Sequence, residues 1–357
     1  MKPAKLFGFC VLSAVALWAY GASADMTVAR IDRNAYAPIT DQASFDRASR
    51  QAILAFAKEL SVYEREPGAA RNTATGSTGA LIHRFWNDLL LNYKYALKTC
   101  SDCESVSTIT DLRNLADKSQ SDSMMSVFYK TYLLEQTRLA SLFPRISSEI
   151  DVFNDNEITG SSFNDMEFLL SFDDGPTEKN GSTDRLIESL NRLNVHAVFF
   201  ALGERLNARQ KSTGDLANVY INQCLASHGQ THQSHAKLAD WQTSVLGSLA
   251  TAKTSAPAAF VNAFRPPYGQ RKADSGNFFK QHNIKVVLWD IDSQDWQKQI
   301  SAQNAADRII SLMLLRRKGI ILFHDIHPKA FTAISEIVLT LKNTDIKWLD
   351  CKGIADS

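Results

Sequence analysis

Two adjacent aspartates, Asp173 and Asp174, end an apolar run and precede Gly175-Pro176. Carboxylates this close disfavour a second free negative charge. A metal ion on one of them would relieve that repulsion and leave the other as a base, although Asp-Gly-Pro is also turn chemistry. Further on, His228 and His232 are spaced i, i+4. Two histidines and one carboxylate form a common ligand set for a catalytic divalent ion with open positions. His235 is an alternative ligand, since His232-x-x-His235 is also a usable spacing. His324 follows Ile320-Ile321-Leu322-Phe323, and a histidine at such a strand end can donate a proton near neutral pH. Asp292 ends another apolar run and could orient His324, while Arg265 could pair with Asp173 and hold it ionised. Metal, base and acid together are equipment for hydrolysing an amide or ester.

Short apolar runs precede these residues, at 168–172, 197–202, 259–264, 286–291 and 320–323, with a less certain run at 220–225. Helical patterns lie between them, at 183–193, 305–316 and 331–341. Strand–helix alternation predicts parallel strands joined by helices, so an α/β fold, a barrel or incomplete barrel of about seven strands. The reactive residues fall just past the strand ends, the face on which parallel barrels carry out catalysis.

The first half of the chain reads differently. Residues 44–64, 79–97 and 121–142 place apolar side chains at helical spacing. Residues 67–78 are rich in Gly, Ala, Ser and Thr and read as a loop. This gives an all-helical region over residues 25–150, then a polar linker over 151–165, then the α/β domain over 166–357. The helical region holds no cluster of reactive types; His83 stands alone.

Residues 1–24 carry Lys2 and Lys5, an apolar stretch too short for a comfortable span, and Ala22-Ser23-Ala24. They read as a signal peptide, with no other segment apolar enough to cross a bilayer. Cys10 lies inside the apolar stretch without the small residues expected before a lipidated cysteine. The mature chain would be exported, periplasmic or secreted. Its loss of two lysines leaves 37 Lys+Arg against 38 Asp+Glu, a net charge of −1. No electrostatic footprint for nucleic acid exists at that balance. Four cysteines remain, Cys100, Cys103, Cys224 and Cys351, an even number that favours disulfides in an oxidising compartment. Cys100 and Cys103 could close a local bridge or form a redox pair, and Cys224 with Cys351 is the leftover pairing, whose geometry sequence does not give.

Five strings carry a family resemblance: Ser171-Phe172-Asp173-Asp174-Gly175-Pro176, His228-Gly229-Gln230-Thr231-His232, Arg265-Pro266-Pro267-Tyr268-Gly269, Asp292-Ser293-Gln294-Asp295-Trp296 and Leu322-Phe323-His324-Asp325. The chain over roughly 166–350 resembles the polysaccharide deacetylases of the NodB-homology type, carbohydrate esterase family 4. That resemblance implies a distorted (β/α) barrel. It implies Asp173 as general base, braced by Arg265, with Asp174, His228 and His232 as ligands of a divalent metal, zinc before other first-row ions. It implies His324 as general acid, oriented by Asp292, and the Tyr268 backbone N–H at the oxyanion. Trp296 and Leu322 would wall the acetyl pocket. His235 stands where the family often has leucine.

The implied reaction releases acetate from an N-acetylglucosamine-containing glycan, peptidoglycan first, exopolysaccharide or chitin oligomers next. O-acetyl esters would suit the same chemistry. A non-catalytic glycan-binding barrel is the rival from another class, but every ligand and proton carrier is kept. A phosphohydrolase would need Asp-x-Asp-x-Thr, and here the aspartates are adjacent.

Overall fold

The structure is a computed structural model that describes residues 28–66, 76–143 and 150–355. The expected leader, with Cys10, and most of the expected 67–78 loop lie outside those residues.

Among the described residues four helices precede the sheet: α1 (Gln42–Arg65), α2 (Gly76–Ala96), α3 (Ile109–Lys118) and α4 (Ser123–Leu142). Three match the helical spacings above, and α3 is an addition. Asp41 starts α1 with a reciprocal cap, its side chain accepting from Ser44 N while Ser44 caps back. Such caps satisfy N–H groups that no helical carbonyl can reach.

Nine parallel strands follow: β1 (Glu157–Ile158), β2 (Glu167–Asp173), β3 (Val198–Ala201), β4 (Cys224–Ser227), β5 (Phe260–Phe264), β6 (Lys285–Val287), β7 (Ile291–Asp292), β8 (Gly319–His324) and β9 (Lys347–Trp348). Their order is β1-β6-β5-β4-β3-β2-β8-β7, with β9 beside β2. The ends β1 and β7 do not pair, so the barrel is distorted and open on one side. Three differences from the sequence reading are plain. The run at 286–291 is two strands, β6 and β7, on opposite ends of the sheet. The uncertain run at 220–225 shifts to Cys224–Ser227, because Tyr220 and Asn222 form a turn with Asn222 at φ 65°. Residues 151–165 are not a free linker: they supply β1, which pairs with β6.

Period-two alternation divides the central strands between two cores. Leu169, Val198, Phe200, Cys224, Ala226, Val261, Ala263, Ile320 and Leu322 fill the barrel interior. Phe168, Leu170, Phe172, Phe199, Ile321 and Phe323 face outward into a second core shared with the surrounding helices. Cys351 and Ile354, in a terminal 3-10 turn (Cys351–Ala355), plug the interior. Both disulfides form, Cys100–Cys103 and Cys224–Cys351, with Cα atoms 5.6 and 5.9 Å apart. The second ties that plug to β4.

Helix α10 (Ala302–Arg316) joins the two halves; α5 (Ser182–Arg192), α6 (Gly203–Ser212), α7 (Leu216–Val219), α8 (Trp241–Ser255) and α9 (Gly276–Gln281) precede it, and α11 (Pro328–Leu341) follows. Every α10 residue from Ala305 to Leu315 is buried, so beyond its first turn this helix has no face for water. A helix end leaves its last carbonyls without internal partners. Here the helical region supplies them: Ser49 Oγ donates to Leu314 O (2.7 Å), and Asn92 Nδ2 donates to Leu315 O (3.1 Å) and Arg316 O (3.0 Å). Buried Arg308 of α10 pairs with Glu135 of α4 (2.8 Å) and donates to Ala29 O. Buried Arg317 pairs with Asp46 and Asp165, both at 2.7 Å. The helical region is thus part of the barrel's own packing. Asn92→Leu should leave two buried carbonyls unsatisfied and cost about 1–3 kcal/mol. A fall in the urea midpoint with unchanged slope would show it; an unchanged midpoint would mean the cap is dispensable.

Candidate active site

Interior-facing positions at the C-terminal strand ends converge on one cleft of about 360 Å³, lined by Asp173, Asp174, His228, His232, Tyr268, Trp296, Leu322 and His324, among others. Asp173 continues the inward series Leu169, Ser171 on β2, and His324 continues Ile320, Leu322 on β8. They are direct neighbours across the β2–β8 ladder. Alternation alone would turn Asp174 away. It adopts a left-handed backbone with φ 82°, a conformation that aspartate tolerates better than most residues, and this brings both carboxylates to the cleft. The next residue must be glycine for another reason. A Cβ on Gly175 would lie 1.8 Å from Asp325 Oδ2. Asp325 is thereby a prop under the turn; it accepts from Thr183 Oγ1 (2.8 Å), and burial pushes its carboxyl up to about 7.

Arg265 is fully buried. Its Nη1 donates to Asp173 Oδ1 and Ser171 Oγ, both at 2.9 Å; Nε donates to Val287 O (3.0 Å) and Nη2 to Leu288 O (3.1 Å). The guanidinium also lies 4.2 Å from the Phe200 ring centroid. Burial raises the pKa of Asp173, and Arg265 opposes that shift.

Asp174, His228 and His232 place one donor atom each within 4.8 Å of one another. Asp174 Oδ1 is buried without a hydrogen-bond partner, 3.5 Å from His228 Nε2 and 3.4 Å from His232 Nε2. His228 Nδ1 donates to Arg265 O (2.7 Å), which leaves Nε2 as the nitrogen that could coordinate a metal. Burial lowers the His228 pKa to about 3, so the ring is neutral, as a ligand must be. An orphaned carboxylate oxygen facing two free imidazole nitrogens fits a divalent metal. His235 does not join this set. It is fully buried, with Nδ1 3.0 Å from Gln233 O and Nε2 3.1 Å from Ser244 Oγ, and its ring packs edge-on to Phe264.

The hydrogen bond to His324 expected of Asp292 is made by another residue. His324 Nδ1 donates to Asp295 Oδ1 (2.7 Å), and the His324 backbone N–H donates to Asp295 Oδ2 (3.0 Å). Asp292 is occupied within its own loop, accepting from Gln294 N (2.7 Å) and Gln294 Nε2 (2.9 Å). That local turn is common for aspartate, and it carries Asp295 back beneath His324. Burial opposes the charged imidazole, but the Asp295 carboxylate outweighs it, and the His324 pKa rises to about 10. The signal in sequence was the second acid of the same string, beside Trp296. Asp292 still lines the cleft, with its carboxyl pushed up to about 6 by burial.

Leu322 is buried in the cleft wall, and Trp296 is half exposed at its rim. Tyr268 sits at φ 60° with its ring edge-on to His232, centroids 4.5 Å apart. Four wall residues were not among the sequence candidates: Gln270, Trp289, and Leu139 and Leu142 from α4 in the helical region. His83 is exposed beside Asn87, far in sequence from these residues and absent from the cleft lining.

Residues 161–287 match the family described as Polysaccharide deacetylase. That span holds Asp173, Asp174, His228, His232, Arg265 and Tyr268; Asp295 and His324 lie beyond it. The chain is 27% identical over 150 residues to a peptidoglycan-N-acetylglucosamine deacetylase of Bacillus cereus, covering 42% of this chain and 52% of that protein. It is 27% identical over 191 residues to a bifunctional xylanase/deacetylase of Pseudobutyrivibrio xylanivorans, covering 50% of this chain and 29% of that protein. The chain thus spans about half or less of these curated relatives. A crystal structure of the Bc1960 peptidoglycan N-acetylglucosamine deacetylase aligns with a TM-score of 0.49 at 24% identity, over 56% of this chain and 91% of that one. Over residues 161–287, which build most of the strand-end cleft, the chain is similar to the polysaccharide deacetylases.

Proposed function

We propose that the chain hydrolyses N-acetyl groups on an N-acetylglucosamine-containing polysaccharide, peptidoglycan first, and releases acetate. The observation that carries this reading is the pairing of Asp173 with His324 across one ladder, beside a three-residue ligand set. A base and an acid are thereby held at one cleft, next to the position for a Lewis acid.

Asp174, His228 and His232 would hold the divalent ion, zinc by the character of the donors. When bound, it would polarise the acyl carbonyl and acidify a water. Asp173, aimed by Arg265, takes the proton as the water oxygen adds to the acyl carbon. The Tyr268 backbone N–H helps hold the oxyanion. His324, kept protonated by Asp295, gives its proton to the leaving nitrogen from Nε2. The C–N bond breaks, leaving acetate and a free amino sugar. Leu322 and Trp296 exclude water around the acetyl methyl.

Two disulfides and the leader reading of residues 1–24 support export. Among the described residues no helix is long and apolar enough to cross a membrane.

Asp173→Asn and His324→Ala should each lower acetate release by about 10²–10⁴-fold, the usual worth of acid–base assistance, with the fold kept by circular dichroism. Acetate assays on purified N-acetylated glycans decide; turnover retained in both variants rejects the assignment. Asp295→Asn should move the alkaline limb of the kcat profile to lower pH, because His324 loses the carboxylate that holds its proton. Asp292→Asn should leave that limb in place, and the reverse result would restore Asp292 as the orienting group. Exhaustive chelation should abolish activity and added zinc should restore it; full activity after verified metal removal would count against the ligand set.

A further inference from the structure

His228 and His232 are held by unequal means. The His228 ring is oriented directly, by its Nδ1 hydrogen bond to Arg265 O. Among the described residues no protein group hydrogen-bonds the Nδ1 of His232; its side chain is 32% exposed, with the Tyr268 and His228 rings beside it. Ligand histidines are ordinarily oriented by a partner on the second nitrogen, so the loop itself has to orient His232. One buried pair pins that loop on both sides of His232. The Gln230 backbone N–H donates to Ser244 Oγ of α8 (2.9 Å). Ser244 Oγ lies 3.1 Å from His235 Nε2, and His235 Nδ1 donates to Gln233 O (3.0 Å). A carbonyl can only accept, so Nδ1 carries the ring proton and Nε2 accepts from the Ser244 hydroxyl. Burial lowers the His235 pKa to about 4, which keeps the ring neutral. Gly229 leaves room for the ring: a Cβ there would lie 2.5 Å from His235 Cε1. A leucine at position 235 could neither accept from Ser244 nor donate to Gln233.

We propose that His235 is a positioning residue for the metal ligand His232: with Ser244 it fixes the 230–233 loop, and thereby sets the affinity of the site for a divalent ion. The inference rests on the ligand set assigned in the deacetylase reading. His235 touches neither ion nor substrate; it acts through the backbone at Gln233. Without it the Gln233 carbonyl and the Ser244 hydroxyl lose a buried partner, and the loop is free to carry His232 away from Asp174. Partners of this kind typically change metal affinity by about 10–100-fold.

The test is calorimetric titration of the metal-stripped protein with zinc, with the absorption bands of cobalt(II) bound in its place as the reading of ligand geometry. His235→Leu and Ser244→Ala should each weaken zinc binding by about 10–100-fold, and each should shift the cobalt bands. The double variant should bind no more weakly than the worse single one, because the two side chains act as one unit. Melting of the metal-free variants shows that they fold; Ser244→Ala, which removes a single hydroxyl, decides should His235→Leu fail to fold. Unchanged zinc affinity in either folded variant overturns the positioning role and leaves the ligand set standing. So do additive losses in the double variant, or weakened binding with unshifted cobalt bands. A wild-type protein that binds no zinc, or a His232→Ala variant that binds it as tightly as the wild type, removes the ligand set itself and the proposal with it.

Discussion

A guanidinium without access to water stands at the centre of the barrel. Moving such a charge out of water costs several kcal/mol unless its donors are met. Arg265 meets that demand with a carboxylate, a hydroxyl and two backbone carbonyls. Each of these partners is then fixed by the same requirement. Asp173 is held in one orientation. Val287 and Leu288 give their carbonyls to a side chain at the point where β6 ends, which accounts for the break between β6 and β7. The Arg265 carbonyl in turn holds His228 in the tautomer a metal needs. One buried charge therefore links the proposed base, a proposed metal ligand and the opening of the sheet.

The second constraint is α10. A helix buried on all sides needs cover wherever the barrel does not provide it. The helical region provides it with apolar surface from α1 and α4, and with Ser49 and Asn92 for the terminal carbonyls. It also lies against the side where β1 and β7 fail to pair: Phe85, Asn92 and Gln136 share a cavity there with Gly160 and Asp290. Covering α10 is what brings the end of α4 to the cleft.

Much of the site was legible because its residues are local in sequence and sit at strand ends, where inward alternation sets their direction. Asp173, His228, Arg265 and His324 follow from that rule. The ranking of Asp174 over Asp173 as ligand came from resemblance, and the physical reason, a left-handed backbone at Asp174, is a matter of conformation. Asp295 was hidden because Asp292 looked equivalent: two acids three residues apart are distinguished only by which one the turn consumes. Leu139 and Leu142 were illegible for a different reason. Their helix spacing shows that α4 is amphipathic but says nothing about which partner its ends meet. The split of residues 286–291 was likewise invisible, because Arg265, which takes the Val287 and Leu288 carbonyls, lies just past β5.

Helix α4 has two faces with separate duties. Phe128, Tyr129 and Tyr132 anchor one face in the core, with Tyr129 donating to Ser311 O and Arg316 donating to Tyr132. Leu139 and Leu142 look into the cleft. The helix is stiff, so its position over Trp296 is set at the far side, by how those aromatic rings seat against α10. The width of the mouth is therefore a property of core packing and not of the loops that carry the chemistry. A change of one methylene beneath α4 would reshape the mouth without touching Asp173 or His324.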